Sequence, residues 1–235
     1  MKKNSPREEL RELADLTLRY VRQEGDSLPM QPSGKVPDDI SQPAAVELDA
    51  DKEMASIDAA VLACEKCPLH RTRTHAVPGE GDNKAKLVFI GEAPGGNEDR
   101  QGRPFVGRSG ELLTKIITDG MGMTREEVYI TNIVKCRPPG NRDPLPGEIE
   151  SCHPYLVRQL EIIQPKVICT LGRFAAQCLL ETKAPLSRLR GKQADYNGTP
   201  LIPTYHPAYL LRNYTKEARR QVWDDVSKVV EILTI

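Results

Sequence analysis

The chain has 235 residues, 39% of them hydrophobic, which fits one folded domain with a tail and supplies enough apolar material for a core. No apolar run approaches the ~18 residues of a membrane span, and the N-terminus has no apolar stretch of the secretion-signal type, so we expect a cytoplasmic protein that does not bind membranes. The zero net charge hides an asymmetry, because residues 1–60 contain 8 Lys+Arg and 13 Asp+Glu whereas residues 61–235 contain 25 and 20, a basic excess that permits binding to a phosphate backbone without requiring it.

The first 50 residues are acidic and poor in apolar periodicity. Residues 5–24 are charged, with a weak helical repeat of leucines, and residues 25–50 are rich in proline, serine and aspartate. We interpret residues 1–50 as a largely disordered N-terminal extension with one short helix, and residues 51–235 as the folded domain. The short helix is a candidate for docking on a partner or on the folded domain; a dispensable extension is the alternative that the sequence favours.

Four short apolar runs predict strands at 87–90, 128–134, 167–171 and 201–204. Helical patterns begin at Met54, near Ser109, near Glu148, after Gly172 and at 215, and residues 184–200 have the composition of a basic loop or hairpin. This alternation predicts an α/β fold, a three-layer sandwich with a central, mostly parallel four-stranded sheet flanked by helices. Parallel strands end at one edge, so the loops GEAPGG, KCRPPGN, LGR and YHPAYLLR should gather there.

The region after the first predicted strand contains an apolar side chain in a polar setting. Phe105 lies in the segment GRPFVGR, among glycines, a proline and arginines. Such a setting is unusual for plain packing. It is typical of a binding site in which an aromatic side chain stacks on a flat ligand beside a phosphate chain.

Four of the six cysteines have the spacing of a metal site. Cys64 and Cys67 form a C-x-x-C followed by proline, Cys136 follows a predicted strand, and Cys152 lies 16 residues later on the apolar face of a helix. The wide separation of the second pair favours an iron–sulfur cluster over zinc, and scattered core cysteines are the remaining alternative. The other two cysteines have the pattern of core packing residues: Cys169 and Cys178.

These loops together resemble one protein family. The motifs GEAPG-x-x-ED-x-x-G-x-PFVG-x-x-G-x-LL, TN-x-VKCRPP-x-NR and HPA-x-LLR are similar to those of the family 4 uracil-DNA glycosylases, the iron–sulfur type of prokaryotes, over about residues 57 to 232. The resemblance implies a [4Fe-4S] cluster on the four cysteines Cys64, Cys67, Cys136 and Cys152. It also implies excision of uracil from single- or double-stranded DNA at the start of base excision repair, by a monomer associated with the nucleoid, with the N-terminal extension open to a repair partner.

The same resemblance places residues around a flipped uracil. Phe105 would stack on the base, and the Asn132 carboxamide would pair with uracil O4 and N3–H, whereas cytosine presents the opposite pattern. His206 would donate to uracil O2, where negative charge develops as the glycosidic bond breaks. Gly91 and Ala93 would lie beside the base.

DNA contacts are implied for the segment after this histidine. Leu210 or Leu211 would enter the duplex as a wedge, and Arg212 would contact phosphate. Ordinary packing at the start of a helix is the alternative for the two leucines.

No residue is an obvious candidate for activating the water that attacks the sugar. The aspartate of G-Q-D-P-Y in better-known uracil-DNA glycosylases corresponds to Ala93, so Glu92, the nearest carboxylate, and Asn141 are the candidates. Gly95 replaces the tyrosine that excludes thymine in those enzymes, and Glu98 is a candidate for that task.

Two other functions are considered. A covalent uracil-DNA binder would need a histidine in the loop after the TN motif, but the chain has none before His153. A non-catalytic iron–sulfur module that binds uracil-DNA would not need Glu92, Asn132 and His206, all of which are present.

Overall fold

The structure is a computed structural model, and it describes residues 49–234. The predicted helix within residues 5–24 and the predicted linker up to residue 48 lie outside the described residues. The first described helix begins at Ala50, four residues before the predicted start, where the side chain of Asp49 accepts from the N–H of Lys52.

Strands and helices alternate along the described chain. The strands are β1 (Glu80–Gly81), β2 (Leu87–Gly91), β3 (Tyr129–Asn132), β4 (Val167–Leu171), β5 (Ala194–Tyr196) and β6 (Thr199–Thr204). The α-helices are α1 (Ala50–Leu62), α2 (Gly96–Gln101), α3 (Arg108–Lys115), α4 (Pro146–Ile163), α5 (Arg173–Leu179), α6 (Leu186–Leu189), α7 (Pro207–Arg212) and α8 (Lys216–Thr234). Short 3-10 turns cover Pro68–Arg71, Arg125–Glu127 and Pro139–Asn141, and α3 continues into a π-helical turn at Ile116–Gly120.

The sheet confirms the predicted α/β fold class and adds two strands to it. Its order is β1-β3-β2-β4-β6-β5, and the four predicted strands β2, β3, β4 and β6 are parallel to one another. The added strands β1 and β5 pair antiparallel at the two edges. β1 has two residues and β5 has three, too few to produce a periodic pattern in the sequence.

A tight turn explains the edge pair β5–β6, in the segment predicted as a loop or hairpin. Asn197 and Gly198 link the two strands with φ of 51° and 85°. Two successive residues with positive φ form the type I′ geometry that Asn-Gly favours, and it matches the twist of a hairpin.

Two apolar layers cover the sheet, as the alternation of side chains along its strands requires. In β2, Val88 and Ile90 face a cluster formed with α1, α4 and α5, whereas Leu87 and Phe89 face a cluster formed with α3 and α8. Cys169 is buried in the second cluster and Cys178 packs against the first, which confirms both as packing residues. Within residues 49–234, no helix is long and apolar enough to cross a membrane.

A buried ion pair attaches α8 to the end of β6. Asp225 is 0% exposed, its carboxylate accepts from Thr204 Oγ1 at 2.8 Å, and Arg190 contacts both of its oxygens at 3.1 Å. The Arg190 guanidinium also lies 5.1 Å from the ring centre of Tyr205, the residue before His206. Asp225 therefore connects helix α8 to the end of strand β6 and to Arg190.

We expect Asp225→Ala to destabilise the protein by about 3 kcal/mol, because it leaves the partly buried Arg190 without its counter-charge. The neighbouring Asp224 is exposed and lies 4.0 Å from Arg220, so Asp224→Ala should stay within about 0.5 kcal/mol. Urea unfolding of both variants measures the difference. Equal free energies of unfolding would contradict a structural role for the pair.

Candidate active site

A large cavity lies at the carboxyl ends of the parallel strands. Its volume is about 710 Å³, and it is lined by residues that follow β2, β3, β4 and β6, together with the loop around Phe105. The chain order reverses between β2 and β4, and open α/β sheets bind ligands at such a switch point. Sequence analysis predicted that these loops meet, and the structure brings them together.

One amide oxygen in this cavity has no partner. Asn132 is 1% exposed, it lines the cavity, and its Oδ1 lacks a hydrogen-bond partner anywhere in residues 49–234. A buried polar atom without a partner costs free energy, so such an atom is typical of a group that meets a ligand. Asn132 is therefore placed to bind a polar ligand atom.

Gly91 supports the cavity from behind and does not itself line it. A Cβ on Gly91 would lie 2.4 Å from Asn132 Oδ1 and 2.6 Å from Phe105 Cζ, distances that no real contact tolerates. The glycine therefore lets these two side chains approach each other. Ala93, two residues later, does line the cavity as predicted.

Phe105 is held in an unusual backbone conformation. Its φ is 51°, its side chain is 6% exposed, and its ring centre lies 5.6 Å from that of His206. Glu98 Oε1 accepts from the N–H groups of Val106 and Gly107 at 2.9 and 3.0 Å. These bonds stabilise the loop in which Phe105 has a backbone conformation that phenylalanine rarely adopts.

A second contact holds the same loop from the other side. Arg125 donates to the carbonyl oxygen of Pro104 and contacts Glu80 at 2.6 Å. Phe105 thus packs in the core cluster and also lines the cavity. Sequence analysis identified the residue but neither of the groups that hold it.

His206 is held as a neutral hydrogen-bond donor. Its Nδ1 accepts from the N–H of Ala208 at 3.0 Å, which places the proton of the neutral ring on Nε2. Burial, and then the charge of Arg212, lower the pKa of His206 to about 4, while Glu98 opposes the shift. Gly172 allows the close approach of β4, since a Cβ there would lie 3.1 Å from His206 Cβ.

Glu92 is a half-buried carboxylate on the cavity wall. Burial, and then the charge of Asp143, raise the pKa of Glu92 to about 6, while the charge of Arg173 opposes the shift. Asp143 and Arg173 pair with each other at 3.2 Å. With a pKa of about 6, the carboxylate is mostly ionised at neutral pH. Its pKa is also close to that pH, which suits a group that exchanges protons.

Asn141 lines the cavity, and its side chain is already bonded. Its Oδ1 accepts from Arg137 Nε at 2.8 Å, and its φ is 55°. The amide nitrogen therefore remains for a further contact.

Arginine side chains surround the mouth of the cavity, and sequence analysis named only one of them. The cavity-lining arginines are Arg100, Arg108, Arg137, Arg142, Arg173 and Arg212. Arg142 is anchored by the buried Glu148, whose carboxylate it contacts at 2.7 and 2.9 Å. Three of the six, Arg137, Arg142 and Arg173, lie in the loops KCRPPGNR and LGR. Because these strand-end loops were predicted to meet, the sequence did contain a signal for this group of cations.

The two predicted wedge leucines differ in burial. Leu210 is 3% exposed and packs against Ala218, Val222 and Val226, which is the packing given as the alternative for this residue. The pattern of α7 explains the difference, because Leu210 faces α8. Leu211 is half-exposed and stays a prediction.

The four predicted cysteine ligands line one small cavity, together with Arg73, Lys135 and Tyr155. Among residues 49–234, no three His, Cys, Asp or Glu side chains are arranged as a single metal ion requires. A four-iron cubane spreads its thiolates more widely than one zinc ion does, and four sulfur donors suit it. The N–H of Lys135 donates to Cys152 Sγ at 3.2 Å and Arg73 donates to Cys136 Sγ at 3.0 Å, contacts that stabilise thiolates.

Comparison with known proteins gives a consistent result. Residues 78–227 match the model of the uracil DNA glycosylase superfamily. The chain is 48% identical over 180 residues to the type-4 uracil-DNA glycosylase of Sulfurisphaera tokodaii, an alignment that covers 73% of this chain and 81% of the relative. It is 47% identical to the type-4 uracil-DNA glycosylases of Archaeoglobus fulgidus (73% of this chain, 89% of the relative) and Thermotoga maritima (74% and 92%).

We expect the imidazole of His206 to titrate near pH 4, because burial and Arg212 lower its pKa from 6.5. The unfolded chain binds this proton at higher pH, so its contribution to stability is complete above about pH 6.5 and falls as the pH drops towards 4. NMR titration of the ring C–H signals measures the midpoint, and Arg212→Ala should raise it. A midpoint at or above 6.5 would contradict the neutral state.

Proposed function

The chain belongs to the uracil-DNA glycosylase superfamily, and from this membership we propose that it excises uracil from DNA. The reaction is hydrolysis of the N-glycosidic bond of a flipped deoxyuridine, which begins base excision repair. One observation supports it above the others: the unpartnered Asn132 Oδ1 lies in a cavity that also contains Phe105 and His206. That set offers hydrogen bonds to the edge of a flat base and a ring to stack on its face.

Base recognition follows from the amide of Asn132. Its Oδ1 accepts from uracil N3–H and its Nδ2 donates to uracil O4. Cytosine presents an amino group and an unprotonated ring nitrogen at these positions, so both contacts become repulsive. Buried groups left unpaired by the wrong base give strong discrimination.

Stacking and shape complete the recognition. Phe105 packs against one face of the base, and its ring is positioned before the base arrives, because Glu98 and Arg125 hold the loop. Glu98 also comes close to Gly95, since a Cβ there would lie 2.7 Å from Glu98 Oε2. We assign the exclusion of the thymine methyl group to this part of the wall.

Bond cleavage uses His206 as a donor. The electron pair of the C1′–N1 bond moves into the uracil ring, negative charge develops on O2, and the Nε2–H of neutral His206 donates to it. The sugar becomes oxocarbenium-like, and water adds at C1′. A preorganised donor to a developing oxyanion typically contributes about 3 kcal/mol.

Glu92 and Asn141 receive the water. The ionised Glu92 accepts a hydrogen bond from it and takes its proton as the bond to C1′ forms. Asn141, whose oxygen is occupied by Arg137, donates from its amide nitrogen to the water oxygen. An oxocarbenium-like sugar needs only a weak base, which suits a carboxylate of pKa about 6.

DNA binding is assigned to the arginines of the cavity mouth. Their charges contact the phosphates beside the flipped nucleotide and so contribute affinity without choosing the base. Leu211 is assigned to the space that the flipped nucleotide leaves, and Arg212 to phosphate. Substrate DNA is either single- or double-stranded.

We assign a [4Fe-4S] cluster to Cys64, Cys67, Cys136 and Cys152. Four cysteine ligands saturate a cubane, so the cluster links the chain segments that bind it and offers no open iron for the reaction. The residues that recognise and cleave the substrate lie in the other cavity.

The remaining assignments concern context. Residues 51–235 form the catalytic domain. Residues 1–50 lie outside it as an extension that is either dispensable or a docking segment for a repair partner. The enzyme acts as a monomer on the nucleoid in the cytoplasm.

We expect His206→Ala to lower the single-turnover rate of uracil excision by about 10²–10³-fold, the loss of an oxyanion donor. Glu92→Gln should lower it by about 10–10²-fold, because the carboxylate only assists water, and Asn141→Ala should fall in the same range. The measurement uses one uracil-containing oligonucleotide at fixed salt, with alkaline cleavage of the abasic product.

A pH profile separates the roles of the two groups. If Glu92 is the essential base, the wild-type rate falls as the pH drops through about 6. Asp143→Asn removes a charge that raises this pKa, so it should move the fall to lower pH. Should Glu92→Gln be more damaging than His206→Ala, the donor-first mechanism is wrong and Glu92 becomes the principal catalytic group.

We expect the purified protein to contain iron and sulfide and to show the broad visible absorbance of an iron–sulfur protein. Cys136→Ala should lose iron and free energy of unfolding together, because it removes one ligand. Cys169→Ala, which alters a buried cysteine outside the cysteine cavity, is the matched control and should keep its iron. Stoichiometric zinc without iron would refute the assignment.

A further inference from the structure

Lys135 is a buried lysine that has no part in the reaction. Its side chain is 1% exposed, and its ammonium donates to the carbonyl oxygen of Asn132 at 2.9 Å, to Gln159 Oε1 at 2.7 Å and to Thr131 Oγ1. The three N–H groups of the ammonium thus have three acceptors. Among the described residues, no carboxylate lies within ion-pair distance of this cation.

The main chain of the same residue reaches the cysteine cavity. The N–H of Lys135 donates to Cys152 Sγ at 3.2 Å, and Cys136 is the next residue along the chain. Lys135 therefore contacts the main chain of the base-reading residue with its ammonium and a cluster-site sulfur with its amide.

The segment between them is bonded to the end of the neighbouring strand β2. After Asn132, the N–H of Ile133 donates to Gly91 O at 2.9 Å and the N–H of Val134 donates to Glu92 O at 3.1 Å. The Lys135 ammonium adds a further bond, to the carbonyl oxygen of Asn132. Without it, the peptide group that carries the Asn132 side chain has one support fewer.

Burying a cation has a cost that only a specific contact offsets. An ammonium taken out of water is destabilising unless it is fully hydrogen-bonded, and an apolar residue in such a place is often neutral or better for stability. A fully hydrogen-bonded buried ammonium therefore contributes more to the position of its acceptor groups than to the free energy of unfolding. The atoms that it positions here are the main-chain atoms of Asn132.

We propose that Lys135 is a positioning residue for base recognition, which holds the main chain of Asn132 and joins it to the cysteine cavity. The inference rests on the proposed excision of uracil. It gives the metal site a task in the reaction: to fix the far end of the segment that presents the base-reading amide.

The test compares Lys135→Met with Gln159→Leu. Lys135→Met keeps length and burial but removes the donor to Asn132 O. Gln159→Leu removes one acceptor of the Lys135 ammonium and the bonds to Pro78 O and Tyr129 Oη, but it keeps the acceptors on Asn132 and Thr131. Iron content and the urea-unfolding midpoint are measured for both, to match them for cluster retention and stability. Inhibition of excision by free uracil then measures the base site directly.

We expect Lys135→Met to weaken inhibition by free uracil about tenfold, the loss of a charge-assisted hydrogen bond, with little change in KM for DNA. Its selectivity for uracil over cytosine should fall, while Gln159→Leu should match the wild type in both measures. Equal effects of the two variants, or an unchanged uracil inhibition constant in Lys135→Met, would overturn the proposal.

A readout that needs no activity separates this inference from the proposed function. Hydrogen exchange at the amides of Ile133 and Val134 should speed up in Lys135→Met and stay unchanged in Gln159→Leu. If the wild type does not excise uracil but this exchange difference is present, the function is wrong and the positioning role stands. If Lys135→Met does not fold, Lys135→Gln, which is too short to reach the carbonyl, is measured in the same way with the same criteria.

Discussion

The absence of a side chain at Gly91 is the constraint on which the candidate site depends. Phe105, Asn132 and the end of β2 converge on that one α-carbon, and a methyl group would overlap two of them. The approach is possible only because parallel strands end together and the Phe105 loop folds back over them. The ring of Phe105 and the amide of Asn132 are thus placed by packing before any ligand arrives, and the free energy of that placement comes from the fold.

The cavity separates two kinds of chemistry. Asn132 and Phe105 carry no charge and His206 is kept neutral by burial and by Arg212, whereas six arginines also line the cavity. In the proposed reaction, the uncharged groups would bind the edge of the base through hydrogen bonds and the arginines would bind the phosphate backbone. Salt screens the exposed arginines more than the buried groups.

The sequence predicts the features of the fold and site that arise from local patterns, but not those that arise from contacts between distant residues. The four parallel strands follow from continuous apolar runs, and the convergence of Glu92, Asn132 and His206 follows from the rule that such strands end at one edge. Two-residue β1 leaves no pattern, and Leu210 and Leu211 are equivalent in the sequence until the position of α8 makes one of them core. The support that Glu98 and Arg125 give to the Phe105 loop joins residues far apart in the chain, so no local pattern could predict it.

The two short antiparallel strands, β1 and β5, affect how the edges of the sheet can pair with other chains. β1 pairs with two residues of β3 and β5 with three residues of β6, so part of the outer edge of each of these strands is already hydrogen-bonded. Long unpaired edges are templates on which further chains add and aggregate. Edge strands of two and three residues offer little backbone as such a template.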